Sequence, residues 1–313
     1  MFTYELLDWI NEKEVLSSWF LSSNPNATQL LLKNRERIDW FQFSLKSNAV
    51  HVLENNLTFL VWDCLCANPN AINVLEKVRM RPYSSALSLN ANAMHLLEKE
   101  PEKIDWEMLC TNPNAIHLLE KNQDKIDWEI LSENPNAIHL LEKNLDKIEW
   151  CELSSNPNAL DILEKNQDKV CWSSLSSNPN AIHLLEKNQD KIDWELLCEN
   201  PNAVHLLEKN QEKIDWFMLS SNPNAIHLLE ENQDKVCWYL LSANPNAIKI
   251  LERNVGKVDW FWLAKNPSIF NKKINYSTLK KKMDLIREEL MMRCMHPRRL
   301  ERWIECGGEV DDF

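Results

Sequence analysis

One pattern of apolar and polar positions recurs every 22 residues along most of the chain, and the copy NPNAIHLLEKNQDKIDWEILSE at residues 112–133 shows it clearly. No insertion or deletion interrupts the series. An alanine marks each copy, and these alanines are Ala27, Ala49, Ala71, Ala93, Ala115, Ala137, Ala159, Ala181, Ala203, Ala225 and Ala247. An unbroken period of this length is typical of repeat arrays, in which each repeat stacks only on its neighbours.

The first half of the repeat predicts one short helix. Proline suits the first helical position, and the residue before a proline is disfavoured in the α region, so we expect the helix to begin at Pro113. Ala115, Leu118 and Leu119 then place apolar side chains at helical spacing. Asn122 is the predicted stop, because asparagine tolerates the left-handed conformation that often ends a helix.

The second half predicts another helix. Asp127 is a suitable N-cap, and Trp128, Leu131 and Ser132 follow at helical spacing before the next Asn-Pro pair ends the helix. We therefore expect an all-α fold, an α-solenoid of about twelve stacked 22-residue two-helix repeats with helical caps at its N-terminal and C-terminal ends. At about 10 Å per stacked repeat, the array would extend on the order of 100 Å.

A leucine-rich repeat is the alternative fold, because its period of about 20 to 29 residues includes 22. The strand of such a repeat requires alternating leucines before an asparagine. Here the leucines are paired, β-branched residues are few, and a proline lies near the place of that strand. The all-helical interpretation is therefore favoured.

The extent of the pattern predicts three segments. Residues 1–24 lack a clean repeat and are expected to form an N-terminal cap, residues 25–270 carry the repeats, and residues 271–313 form a C-terminal helical segment. The last segment is locally basic, with ten basic and eight acidic side chains in a chain of net charge −12. Residues 78–85 depart most from the pattern, and this stretch is a kink, a pocket or simple degeneration.

The composition excludes several classes of protein. Three glycines in the whole chain leave no glycine-rich phosphate loop or dinucleotide fingerprint. No apolar run reaches membrane-spanning length, and the start of the chain lacks the features of a secretory signal. Nine cysteines are scattered over repeat positions, too far apart within each set of equivalent positions for disulfides. We therefore expect reduced thiols and an intracellular, reducing location.

Recurring histidines and tryptophans are the obvious candidates for chemistry. Histidine occurs two residues after the alanine, as at His117, but copies one repeat apart are roughly 10 Å from each other and cannot share a metal ion. We expect partly exposed histidines, and no metal, cofactor or catalytic residue. Tryptophans such as Trp128 could stack on bases or sugars. The leucine three residues later favours a place in the core instead.

The positions after each tryptophan vary most and are the candidates for partner contact. Many of them are acidic, which disfavours nucleic acid along the array, although the basic tail could touch it. Toward the C-terminal end they become aromatic, as in patches that anchor protein partners, with partial burial of some rings as the alternative. The candidate partner-contact residues are Phe217, Tyr239, Phe261 and Trp262, with Arg298 and Arg299 in the tail.

The repeat NPNAIHLLEKNxDKIDWxxLS, at its step of 22 residues, resembles the tandem-repeat proteins that giant nucleocytoplasmic large DNA viruses encode in large families. The resemblance covers roughly residues 20–270. The tail from Met295 to Phe313 is similar to a C-terminal segment found on proteins of those viruses. The resemblance implies a viral origin, and hence a location in the host cytoplasm or the virion, but it implies little about mechanism.

A regular surface of this kind lacks the asymmetric cluster of unlike groups that catalysis requires, so we do not expect an enzyme. We expect a non-enzymatic scaffold that contacts protein partners along the solenoid and no membrane, as a viral adaptor in the infected cell. The alternative is a structural component of the virus particle, a rod of fixed length that spaces capsid or internal proteins.

Overall fold

The computed structural model describes residues 2–45, 50–78, 85–294 and Arg299. The chain divides into two compact bodies. The repeat body lies within residues 6–269, and the terminal body lies within residues 1–5 and 270–313. The irregular stretch at residues 78–85 lies outside the described residues except for its two ends. The predicted segment boundaries after residues 24 and 270 stay predictions.

The repeat body consists of pairs of short helices, which confirms the predicted all-α solenoid. The first helices of the repeats are Thr28–Lys33, Val50–Leu53, Ile72–Lys77, Met94–Leu97, Ile116–Lys121, Ile138–Glu142, Leu160–Lys165, Ile182–Lys187, Val204–Lys209, Ile226–Glu231 and Ile248–Arg253. The second helices begin at a tryptophan and are Trp40–Leu45, Trp62–Ala67, Trp106–Thr111, Trp128–Glu133, Trp150–Ser155, Trp172–Ser177, Trp194–Leu197, Trp216–Leu219, Trp238–Ala243 and Trp260–Leu263.

Short 3-10 segments complete the repeat body. Two of them, Trp19–Ser23 and Ser85–Leu89, take the place of a second helix. Others connect the two helices of a repeat, at Arg35–Arg37, Leu57–Phe59, Pro101–Lys103, Gln123–Lys125, Gln189–Lys191, Gln211–Lys213 and Val255–Lys257, and one more follows the last repeat at Pro267–Ile269. A separate helix, Glu12–Leu16, precedes the first repeat.

The first helix begins later than the sequence predicts. In the repeat at residues 112–133 it spans Ile116–Lys121, and the four residues before it form a turn. The Asn114 N–H donates to the side-chain oxygen of Asn112 at 3.0 Å, and the Ala115 N–H donates to the Asn112 carbonyl at 3.1 Å. An asparagine side chain readily competes with a helix for backbone donors in this way. The predicted start at Pro113 was therefore wrong.

The other helix ends lie where the sequence predicts them. Asn122 is the C-cap of the first helix, although its φ of −132° is not left-handed; its side chain instead donates to the carbonyl of Leu118 at 2.8 Å. Asp127 is the N-cap of the second helix, and its carboxylate accepts the Ile130 N–H at 3.2 Å. The predicted cap residues are confirmed, but the left-handed conformation expected at Asn122 was wrong.

A ladder of buried asparagines holds successive repeats together. The side-chain amide of each ladder asparagine donates to one or two backbone carbonyls of the preceding repeat; Asn134 does so to Cys110 at 2.7 Å and to Asn112 at 3.2 Å. The ladder asparagines are Asn24, Asn68, Asn90, Asn112, Asn134, Asn156, Asn178, Asn200, Asn222, Asn244 and Asn266. The twelfth position in register is Lys46, outside the described residues. Because the ladder satisfies buried carbonyls, it also fixes the stacking distance.

A buried serine makes the second link between repeats. The Ser132 hydroxyl donates to the Trp128 carbonyl at 2.7 Å and accepts the N–H of Glu149, in the next repeat, at 3.1 Å. Around these polar links each repeat adds the same apolar side chains to a continuous core, such as Leu141 and Leu153, which are both fully buried. The core is therefore one-dimensional, as expected for a solenoid.

The last repeat stacks on the first, so that the array closes on itself within residues 6–269. Asn24 donates to the carbonyls of Ala264 at 2.9 Å and of Asn266 at 2.8 Å, as each ladder asparagine does to the repeat before it. Asn24 and Asn266 are 242 residues apart, which is eleven steps of 22. The Asn26 side chain likewise donates to the Pro267 carbonyl at 2.9 Å. The predicted open array, on the order of 100 Å long, was therefore wrong.

The terminal body contains two strands and one long helix. Strand β1, Phe2–Leu6, pairs with strand β2, Phe270–Ile274, in a two-stranded sheet, and the helix Tyr276–Cys294 follows. The sequence pattern predicts neither strand, because their residues do not alternate between apolar and polar in a way that indicates a sheet. The long helix agrees with the predicted helical C-terminal segment.

Candidate functional site

Six aromatic rings lie side by side where the last repeat meets the first. The ring centroids of Phe217 and Tyr239 are 5.9 Å apart, those of Tyr239 and Trp262 are 5.4 Å apart, and those of Trp262 and Phe20 are 5.3 Å apart. These separations are typical of favourable aromatic pairs. The contacts therefore run from the C-terminal repeats into the N-terminal segment.

Two more rings complete the set. Phe261 lies 5.1 Å from Phe20 and 4.8 Å from Trp19, in both cases with an edge toward a face. We call Trp19, Phe20, Phe217, Tyr239, Phe261 and Trp262 the aromatic band. Trp19 is 54% exposed and Phe217 is 48% exposed, and the other four residues are half-buried. The band is thus a continuous, water-accessible aromatic surface.

The second helices and their caps position these rings. Asp259 caps the helix Trp260–Leu263, and its carboxylate accepts the Trp262 N–H at 3.0 Å. Across the junction, the Ser18 hydroxyl donates to the Phe261 carbonyl at 2.9 Å. Both bonds fix the backbone beneath the rings, the first within one helix and the second across the junction.

The first position after the tryptophan divides the array into two regions. In five successive repeats across the junction it is aromatic, at Phe217, Tyr239, Phe261, Trp19 and Phe41. In the remaining repeats it is Asp63, Ser85, Glu107, Glu129, Cys151, Ser173 and Glu195. Phe41 is 53% exposed, so the aromatic region extends one repeat beyond the band. The same structural position is apolar on one stretch of the array and mostly polar on the other.

The structure brings four of the predicted contact residues together. Phe217, Tyr239 and Trp262 form one chain of ring contacts, and Phe261 joins it through Phe20. Arg299 is exposed and belongs to the terminal body, whereas Arg298 lies outside the described residues. Sequence reasoning missed Trp19 and Phe20, although the period identifies them: they are eleven steps of 22 before Phe261 and Trp262.

The repeated tryptophans are half-buried, and a lysine of the next repeat covers each ring in the regular part of the array. The Lys125 ammonium lies 4.4 Å from the Trp106 ring centroid, and the Lys147 ammonium lies 4.5 Å from that of Trp128. The same contact follows at Lys169, Lys191, Lys213, Lys235 and Lys257. A cation over an aromatic face is attractive. These rings therefore take part in repeat stacking, but they are less buried than the sequence predicts.

The histidines of the repeats are exposed or half-buried, in agreement with the predicted partial exposure, and six of them contact a glutamate of the preceding repeat. The Nε2 atom of His117 lies 2.8 Å from an oxygen of Glu98, and that of His139 lies 2.6 Å from an oxygen of Glu120. The six residues are His95, His117, His139, His183, His205 and His227. Within the described part of the chain, no three His, Cys, Asp or Glu side chains gather in a way that could hold a metal ion.

Seven cysteines of the described chain carry free thiols. Cys198 takes the place of the bridging serine, and its sulfur donates to the Trp194 carbonyl at 3.1 Å. Burial raises the pKa of the Cys198 thiol to about 11, and burial also raises the pKa of Cys110 in the equivalent place. These buried thiols are therefore poor nucleophiles at neutral pH.

Among the described residues, no helix is both long enough and apolar enough to cross a bilayer. No family model matches the chain, and neither a curated protein nor a solved structure is similar to it.

Proposed function

We propose that the protein is a non-enzymatic scaffold that binds a protein partner through the aromatic band. The observation that carries the proposal is the concentration of aromatic side chains in successive repeats at one structural position. Elsewhere in the array the same position is mostly polar or acidic. Packing of the repeats does not require an aromatic residue there, because Glu107 and Glu129 occupy it in repeats with the same helices.

The chemistry of the band favours an apolar segment of a protein. Large aromatic side chains dominate the binding energy of protein interfaces, and contiguous exposed apolar surface is uncommon unless it has a partner. Nucleic acid also stacks on aromatic rings, but it requires basic side chains for its phosphates. The chain carries 47 acidic and 35 basic side chains, which disfavours that alternative. An adaptor role in an infected cell is part of the proposal and rests on the resemblance to viral repeat proteins.

Site-specific photo-crosslinking tests the proposal. A photoreactive phenylalanine analogue replaces Phe217 in one protein and Glu129, at the equivalent position of a polar repeat, in the control. Both proteins are irradiated in an extract of the cells that make this chain. We expect discrete protein adducts from position 217 and few from position 129.

A second variant makes the result specific. Trp19→Ser changes an exposed ring that is separate in sequence from position 217, and we expect it to weaken the adducts formed there. Glu107→Ser is the matched control in a polar repeat and should leave them unchanged. Equal adducts from positions 217 and 129, or adducts that nuclease treatment removes, would contradict the proposal.

A further inference from the structure

Cys151 and Cys171 lie in neighbouring repeats, at two positions whose equivalents are in contact one step farther along the array. Cys151 is the second residue of the helix Trp150–Ser155, and Cys171 is the N-cap of the helix Trp172–Ser177. Cys151 is exposed and Cys171 is half-buried, so both are accessible to small molecules from solvent. They differ in this respect from Cys110 and Cys198, which are fully buried in serine positions.

These two positions bring side chains into contact. In the next pair of repeats the equivalent residues are Ser173 and Asp193, and the serine hydroxyl donates to the carboxylate at 2.8 Å. Cys151 and Cys171 stand at the same two positions one step earlier, and each thiol shifts the pKa of the other. The contact between Ser173 and Asp193 therefore indicates that the side chains of Cys151 and Cys171 are neighbours across the two repeats.

The surroundings of Cys171 favour an anion. An aspartate usually occupies this cap position; Asp193, for example, accepts the Leu196 N–H at 3.2 Å. Cys171 stands in the same place, and the Ser174 hydroxyl donates to its sulfur at 3.5 Å. Burial opposes ionisation, but hydrogen bonds from Ser174, Cys151 and the Ser173 backbone outweigh it and lower the pKa of Cys171.

Cys151 behaves in the opposite way. Its hydrogen bond with Cys171 raises the pKa of the Cys151 thiol to about 11. Cys171 is therefore the thiol that attacks first, because the thiolate is the nucleophile in exchange with a disulfide. Cys151 is placed to attack second, once a proton leaves it.

We propose that Cys151 and Cys171 form a reversible dithiol–disulfide site that links two neighbouring repeats. The oxidant is a low-molecular-weight disulfide such as oxidised glutathione. The Cys171 thiolate attacks one of its sulfurs, forms a mixed disulfide and releases one thiol. The Cys151 sulfur then gives up its proton, attacks the Cys171 sulfur and releases the second thiol. One small disulfide is reduced to two thiols, and the protein dithiol is oxidised to one disulfide.

The full chain is tested in buffers of graded oxidised-to-reduced glutathione ratio, followed by rapid alkylation, trypsin digestion and mass spectrometry. Trypsin cleaves after Lys165 and Lys169, so the two cysteines are on separate peptides unless a disulfide joins them. We expect the linked peptide to accumulate as the ratio rises and to disappear on return to excess reduced glutathione. In Cys151→Ser, a mixed disulfide should remain on Cys171.

Cys237 is the internal control, because it occupies the same cap position. Its register neighbour in the preceding repeat is Phe217, and Leu240 stands where Cys171 has Ser174. In Cys151→Ser we expect Cys171 to form the mixed disulfide on the order of tenfold faster than Cys237. Equal rates would overturn the assignment of Cys171 as the attacking thiol. Free thiols at both Cys151 and Cys171 across the whole series, or random pairing with the other cysteines, would overturn the site.

Discussion

The regular steps of the array and the junction between its last and first repeats share one contact and differ in three. Both have the asparagine ladder: Asn156 donates to the preceding repeat at 3.0 and 3.1 Å, and Asn24 does so across the junction at 2.9 and 2.8 Å. At the junction Ala264 stands at the position of the bridging serine. The ring next to Trp260 there is that of Trp9, with centroids 6.2 Å apart, whereas a lysine covers the preceding tryptophan, Trp238.

The third difference concerns the histidine–glutamate contact that six regular steps have. The junction lacks it because Gln29 stands at the histidine position of the first repeat, as Asp161 and Lys249 do in two regular repeats. The ladder survives all of these changes. Each amide donates to two buried carbonyls, and one of them also accepts a backbone N–H, as the carbonyl of Asn134 does from Ala137. The other, such as that of Ser132, would lose its donor at a cost of about 1–3 kcal/mol. We infer that the asparagine ladder is the contact that stacking of two repeats requires, whereas the other contacts can differ from one pair of repeats to the next.

The largest expected effect comes from the core leucine three residues after the tryptophan position. Leu21 at the junction and Leu153 in a regular repeat are equivalent, at 1% and 0% exposure. Each change to alanine should lower the free energy of unfolding by about 2–5 kcal/mol, because it leaves a cavity in a packed core. Chemical denaturation measures both. A much smaller loss for Leu21→Ala would show that the junction is loosely packed.

The ladder asparagines should give the next largest effect. Asn24→Ala and Asn156→Ala each remove two hydrogen bonds and leave one buried carbonyl without a donor, so each should cost about 1–3 kcal/mol in the same denaturation experiment. The free energy of unfolding should fall by nearly the same amount in the two variants, because the ladder contact is the same at the junction and in a regular step. Asn26→Ala removes a single bond at the same junction and should cost less than Asn24→Ala.

Where a cysteine replaces the bridging serine, the free energy of unfolding should depend on pH. The pKa of Cys198 is raised from an ordinary 9.0 to about 11, so between these values the unfolded chain loses a proton that the folded chain keeps. The free energy of unfolding therefore falls as pH rises through this window. Cys198→Ser should flatten the fall by removing one such group. Identical pH profiles for the wild type and the variant would contradict the assigned burial of the thiol.

The histidine–glutamate contacts should have the smallest effect. His117 and His139 are 45% and 47% exposed, and ion pairs of that exposure contribute roughly 0–1 kcal/mol. Replacing both by glutamine should hardly change the thermal midpoint. The junction already forms a repeat contact without a histidine. A large loss of stability in the double variant would show that this contact is essential to regular steps.

Much of the repeat could be predicted because local signals were strong. The Asp127 cap, the Trp128 to Leu131 spacing and the buried Leu119 follow from helix capping and apolar periodicity. The start at Pro113 was wrong because proline is compatible with a helix but does not require one. The side chain of Asn112 accepts the Asn114 N–H and so stabilises a turn at the place where the helix was predicted to begin.

Closure could not be predicted from the period, because a period gives the number of repeats but not the rotation between them. That rotation depends on the sizes of side chains packed between neighbouring helices. The sequence does show that the N-terminal segment belongs to the array. In residues 18–24, SWFLSSN, the side chains of Leu21, Ser22 and Asn24 keep the register of the repeats. Because this segment was interpreted as part of a separate cap, Trp19 and Phe20 were not recognised as members of the aromatic band.

Distance measurement by pulsed electron paramagnetic resonance tests closure most directly. Spin labels on non-natural amino acids, which avoid the native cysteines, replace exposed Lys33 and Arg253 in one protein and exposed Lys143 and Lys187 in another. Around the closed array both pairs are two steps apart at equivalent positions. A closed array should give matching distance distributions near 20 Å, about two steps of 10 Å. A distance on the order of 100 Å between positions 33 and 253, with the control pair unchanged, would contradict it.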